Sequence, residues 1–168
     1  MTRAFIFPGQ GSQAVGMGKD LFENFTEARE VFEEIDESLS QKLSTLMFEG
    51  PEEDLNMTEN TQPALMAVSM AVVQVLKKQG GIDFSQSANF VAGHSLGEYS
   101  ALTAAESFSI SDAARLLKLR GQAMQKAVPV GVGSMAAILG LDFEDVKTLA
   151  SEAAGNEICA AANDNSVG

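Results

Sequence analysis

Apolar positions along this chain fall into two kinds of run. Arg3 to Phe7 and Ser87 to Ala92 are short and continuous, which predicts buried strands. Longer stretches repeat apolar residues three and four apart, which predicts helices. One such stretch runs from Asp20 to about Glu49, with Leu21, Phe25, Phe32 and Ile35 as core contacts, and breaks at Gly50-Pro51. Thr61-Gln62-Pro63 opens another, with Pro63 near the first turn, where a missing N–H matters little. It reaches about Lys78 and stops at Gly80-Gly81. Leu96 to about Glu106 returns to helix, and a Ser109 to Asp112 capping box starts one that ends near Ala127. Ser134 to Leu139 reads as a strand, Phe143 to Ala154 as a helix and Ile158 to Ala162 as a further strand. Strands alternating with helices predict an α/β protein with a mainly parallel sheet. The pattern stops at Gly168 without a closing helix, so the front part of a longer protein is expected.

Composition narrows the function classes. The net charge of −12 argues against nucleic acid or an anionic membrane as a partner. That charge is uneven: residues 20 to 59 hold thirteen acids, whereas 113 to 130 hold Arg115, Lys118, Arg120 and Lys126 and no acid. The basic stretch is a candidate docking site for an anionic partner, or else a solvated helix face. The longest apolar run, Ala64 to Leu76, is too short for a bilayer and includes Ser69 and Gln74. One cysteine, Cys159, excludes an internal disulfide, and no leader is expected, since the first residues already read as a buried strand. A cytoplasmic, soluble protein is expected.

Gly93-His94-Ser95-Leu96-Gly97, between a strand and a helix, has the nucleophile-elbow pattern. Such a turn lifts the serine above the sheet and aims the N–H groups of the following helix at it. A tetrahedral oxyanion on Ser95 would take the Leu96 N–H, and the Pro8 to Gln13 loop could add the Gln10 N–H. The plainer reading is a glycine turn with a capping serine. The loop is not a phosphate loop, since no Gly-Lys-Ser/Thr follows.

On a helix from 113 to 127, Arg115, Lys118, Gln122, Gln125 and Lys126 gather on one side, and Ala113, Leu116, Leu117, Met124 and Ala127 on the other. Arg120 falls in the apolar side. A guanidinium there needs an ion pair, a path to solvent, or a ligand carboxylate gripped by its fork. A serine nucleophile also needs a base, usually His. His94, the one histidine, adjoins Ser95, where side chains diverge, and is expected to pack under the turn. Glu98 and Glu106 fit less well, because an ordinary carboxylate is a weak base for a hydroxyl. Either the base lies beyond Gly168 or this chain is not a competent enzyme.

Further stretches complete a pattern: Phe7-Pro8-Gly9-Gln10-Gly11-Ser12-Gln13, Thr61-Gln62-Pro63-Ala64-Leu65, Gly93 through Leu102, Leu119-Arg120-Gly121 with Met124, Gly133 to Ala137, and Asn163 to Ser166. In this order the sequence resembles the bacterial malonyl-CoA:acyl carrier protein transacylases of fatty acid synthesis. The resemblance implies that Ser95 takes malonyl from malonyl-CoA as an ester and passes it to the acyl carrier protein thiol. It places Gln10 and Leu96 in the oxyanion hole, and Arg120 and Met124 on the substrate, with Arg120 gripping the malonyl carboxylate. No cofactor, no metal and a monomer are expected. The resemblance also implies an α/β-hydrolase-like large subdomain over 1–130 and the start of a small ferredoxin-like subdomain over 131–168. The family's catalytic histidine and a later glutamine have no counterpart here. Ala105-Glu106 stands where an alanine-glycine pair is common. The alternatives are an acyltransferase of polyketide type, a serine hydrolase, and an inactive fragment or binding module. A start at Met1 just ahead of the first strand favours a free-standing enzyme over a polyketide module.

Overall fold

Two strands, β1 (Ala4–Phe7) and β2 (Phe90–Gly93), pair in parallel, with Ala4 opposite Phe90 and Phe7 opposite Gly93. The computed structural model describes residues 2–129 and 131–166. Strand side chains alternate between faces. Phe7 is buried and Phe5 packs on Phe84 at a ring separation of 4.4 Å. The other face holds Ile6 and Phe90, 79% and 63% exposed. The expectation of fully buried strands is therefore corrected. A continuous apolar run suits a two-sided burial, but only one face here is covered, in part by the helix that follows β2. β2 also starts later than the sequence pattern predicts, because residues 84–87 form a helical turn.

The acidic stretch is three helices rather than one: α1 (Lys19–Asn24), α2 (Thr26–Leu39) and α3 (Leu43–Glu49). Phe25 is extended between the first two, and Ser40, at φ 49°, ends the second. Phe32 and Ile35 are buried as expected, while Leu21 and Phe25 are half-buried against the core. Phe22, Phe32 and Phe48 knit the three helices together at ring separations of 5.3 to 6.0 Å. A short α4 (Glu52–Leu55) precedes α5 (Thr58–Lys78). α5 begins a turn earlier than Thr61-Gln62-Pro63 suggests, so Pro63 lies inside it and not in its first turn. The Asn60 and Thr61 N–H groups already donate to the Met57 carbonyl at 2.8 and 2.9 Å, so the helix is under way before Pro63 is reached.

The remaining elements are the 84–87 turn (α6), α7 (Gly97–Ala104), α8 (Ile110–Ala127) and α9 (Phe143–Ala154). The Ser109 cap forms as expected: its Oγ accepts from the Asp112 N–H at 3.0 Å. α5 is the central helix, packed against α2, α7 and α8. The close approach of α8 occurs at Gly121, where an added Cβ would stand 2.4 Å from the Glu59 Cα. The chain divides into two compact units, residues 1–130 and 131–168. In the second, α9 is present, but no strand forms at 134–139 or 158–162 among the described residues. Met135, Ile138, Leu139 and Ile158 are exposed there, so the expected ladders lack a partner strand.

Thr61 fixes the entry to α5. Its fully buried hydroxyl donates to the Leu55 carbonyl at 2.6 Å. Thr61→Val keeps the shape and strands that carbonyl, so a loss of about 1–3 kcal/mol in denaturant unfolding is expected. An unchanged midpoint and slope would mean the carbonyl finds another donor.

Candidate active site

The turn after β2 brings the candidate nucleophile forward. Ser95 is exposed and sits at φ 55°, a left-handed conformation that residues with a side chain seldom adopt. Strain of this kind is what a sharp strand-to-helix elbow imposes on its central residue. The flanking glycines answer a steric need. A Cβ on Gly93 would fall 1.9 Å from the Gly97 carbonyl atoms, and one on Gly97 would fall 2.5 Å from the Phe7 oxygen. Those clearances bring β2, the start of α7 and the end of β1 into one knot. The Gly97 N–H bonds back to the His94 carbonyl at 2.9 Å and the Glu98 N–H to the Ser95 carbonyl at 3.2 Å. Leu96, the N-cap of α7, is buried and directly precedes them.

Arg120 reaches this turn from α8. Its Nη2 donates to the Ser95 Oγ at 3.0 Å, and its Nη1 donates to the Gln62 Oε1 at 2.6 Å. The Gln62 amide is 1% exposed and its Nε2 lies 3.3 Å from the Met124 sulfur. The guanidinium also stands 5.9 Å from the Tyr99 ring centre, close enough for a cation–π contact. Both hydrogen-bond partners of Arg120 are neutral, and among the described residues no carboxylate lies within ion-pair distance. Its charge is thus oriented beside the serine without a counter-ion among the described residues.

The apolar side of α8 is rotated from the sequence pattern. Ala113, Ala114, Leu117 and Gly121 face the core, whereas Leu116, Met124 and Ala127 are exposed. The close contact at Gly121 sets that rotation. Of the basic stretch, Arg115 bonds to Asp112 at 2.7 Å, and Lys118 bonds to Asn60 at 2.9 Å with Glu59 at 3.6 Å. Two of its charges are therefore partly neutralised by neighbours.

The Pro8 to Gln13 loop lies against the elbow. The His94 N–H donates to the Phe7 carbonyl at 3.2 Å, and the His94 ring rests against Gly9. Gln10 follows Gly9 directly, and its side chain lies 3.5 Å from the Thr58 hydroxyl. Glu106 is no substitute base: Lys77 bonds its carboxylate at 2.8 Å, and that hydrogen bond and charge hold the carboxyl below its usual range. Glu106 also takes φ 62°, the conformation glycine enters freely. The turn that an alanine-glycine pair would make is thus kept, with strain, by a charged residue.

Residues 4–166 match the acyl transferase domain family. The chain belongs to that family. It is 52% identical over 144 residues to the malonyl CoA-acyl carrier protein transacylase of Bacillus subtilis (strain 168), covering 86% of this chain and 44% of that relative. The crystal structure of the acyl-carrier-protein-S-malonyltransferase from Bartonella henselae superposes with a TM-score of 0.92 at 59% identity, over 98% of this chain and 52% of the other. A malonyl-transacylase in complex with a type II PKS acyl-carrier protein gives a TM-score of 0.90 at 44% identity, over 100% of this chain and 53% of the other. The chain spans about half the length of the curated relatives it matches. Gln62, which accepts from Arg120 beside Ser95, is the residue of this cluster that the sequence pattern did not single out. Its motif was visible, but the link to Arg120 spans 58 positions and only folding reveals it. Among the described residues no helix is long and apolar enough to cross a membrane, and no cluster of three His, Cys, Asp or Glu residues could hold a metal ion.

Proposed function

We propose that these residues carry the nucleophile and the carboxylate grip of a malonyl-CoA:acyl carrier protein transacylase. The observation that carries this reading is Arg120, bonded at once to Ser95 and to buried Gln62 with no counter-ion among the described residues. An acyl group with a free carboxylate supplies the anion, and a malonyl thioester is a small one that also offers a carbonyl to Ser95. The Ser95 oxygen attacks that carbonyl, and the oxyanion is held by the Gln10 and Leu96 N–H groups. Coenzyme A leaves as the thiol, and the seryl ester remains. The thiol of the acyl carrier protein then attacks the ester and frees Ser95. Met124, whose sulfur lies 3.3 Å from the Gln62 amide, is assigned to contact the acyl chain. The proton acceptor is assigned to a histidine in the portion that the relatives have and this sequence does not.

The same reading extends to the architecture. Residues 1–130 would form the first part of an α/β-hydrolase-like subdomain. Residues 131–168 would begin a ferredoxin-like one. In a split βαβ arrangement the first two strands are separated by a third. This accounts for α9 standing between two apolar segments that form no ladder.

The test is direct. The whole protein is mixed with malonyl-CoA and its intact mass is measured. One malonyl unit is expected on the protein and none on Ser95→Ala. No adduct on the wild type, or one that persists in the variant, would sink the reading. A carrier protein of polyketide synthesis is the second reading, favoured by the likeness to the complex above. Transfer rates to purified carriers of the two classes separate them.

A further inference from the structure

The loop that bears Gln10 is tied down from both sides of that residue. On one side the Gln10 amide meets the Thr58 hydroxyl at 3.5 Å. On the other, the Gly11 N–H donates to the Gln13 Oε1 at 2.9 Å. Gln13 in turn donates through Nε2 to the Asn56 Oδ1 at 2.8 Å. Gly11 is at φ 115°, open to few residues, so without such ties its peptide could rotate over a wide range. Asn56 is itself on a rigid base. It follows Leu55, whose carbonyl is held by buried Thr61, and Asp54, whose carbonyl accepts from the Asn60 amide at 2.9 Å. Both holders lie in the first turns of α5, the helix that also bears Gln62 against Arg120.

We propose that Gln13 and Asn56 are positioning residues that, by holding the Gly11 N–H, fix the loop so that the neighbouring Gln10 N–H is set as an oxyanion donor relative to Ser95. This rests on the acyl-transfer reading of Ser95 and adds to it a division of labour between the end of α4 and the start of α5. Asn56, at the end of α4, sets the loop amide through Gln13, and Gln62, in α5, sets the cation. Neither Gln13 nor Asn56 touches the acyl group. Losing their bond therefore disturbs the charge that develops during reaction, not the grip on the carboxylate.

The experiment measures the rate of Ser95 acylation by malonyl-CoA in the whole protein, by rapid quench and intact mass, alongside KM and the melting temperature. Asn56→Ala and Gln13→Ala are expected to slow acylation by about 10- to 100-fold with KM little changed. Asn56→Asp retains the oxygen that accepts from Gln13 and is expected to restore most of the rate. Gln13→Glu keeps the acceptor for Gly11 and can still take a hydrogen bond from a turned Asn56 amide, so its loss is expected to be small. The double variant Gln13→Glu with Asn56→Asp sets two carboxylates face to face and is expected to lose as much as the alanine variants. A double variant that acylates at the wild-type rate overturns the proposal. So does an Asn56→Ala variant whose rate and melting temperature fall together and are not rescued by Asp. A wild type that takes up no malonyl removes the acyl-transfer reading itself; normal uptake with indifferent variants removes only the clamp.

Discussion

Gly93→Ala is expected to leave the protein largely unfolded. The added Cβ would lie 1.9 Å from the Gly97 carbonyl carbon and oxygen and 2.4 Å from the Glu98 nitrogen. All three are backbone atoms of the elbow and the first turn of α7, so no side-chain rotation relieves the overlap. The backbone must separate, and with it goes the contact of Gly97 on the Phe7 and Pro8 carbonyls, each already closer than a Cβ could tolerate. A loss above ~4 kcal/mol is expected, against a total of about 5–15 kcal/mol for a domain. Denaturant unfolding checks it. A folded Gly93→Ala protein with a wild-type midpoint would show that the elbow relaxes far more easily than its clearances imply.

Arg120→Ala is expected to change which acyl group Ser95 accepts. In the proposed transfer the guanidinium meets the malonyl carboxylate, and a charge-assisted contact of this kind is worth about 2–4 kcal/mol when one partner is removed. That corresponds to a fall in malonyl uptake on the order of 30- to 1000-fold. Acetyl has no carboxylate to lose, so its uptake is expected to hold or rise. Parallel acylation assays with malonyl-CoA and acetyl-CoA read the ratio. Equal losses for both would mean that Arg120 serves the fold or the serine alone. Arg120→Lys is expected to fall between, since a single ammonium cannot bond Gln62 and Ser95 through separate nitrogens as the fork does.

Where the chemistry is local, the sequence was readable. The Ser109 cap, the turn at Ser95 and the span of α8 each depend on residues a few positions apart, and they form as their patterns predict. Where burial depends on neighbours, it was not. Ile6 and Phe90 belong to apolar runs, but a run does not say how many elements will cover it. The residues at 134–139 and 158–162 have strand character, yet a strand exists only with a partner to share its hydrogen bonds. Breaks at Phe25 and Ser40 leave little trace, because neither residue is a usual helix stop. At the site, Ser95 and Arg120 stood out by type and pattern. Gln62 and Asn56 did not, because a buried or linking amide is recognised by what it bonds, and their partners are distant in sequence.

The backbone of Ser95 has a bearing on how such a protein would decay. At φ 55° a glycine is at ease and a serine is not. Random substitution there therefore includes a change, Ser95→Gly, that relaxes the turn while deleting the hydroxyl. Thermodynamic drift and loss of chemistry point the same way at this one position. A lineage released from selection for the proposed acyl transfer would lose the bond to Arg120 but gain a relaxed turn on becoming inert, and a serine found in that strained turn is a residue held against the relaxation of its own backbone.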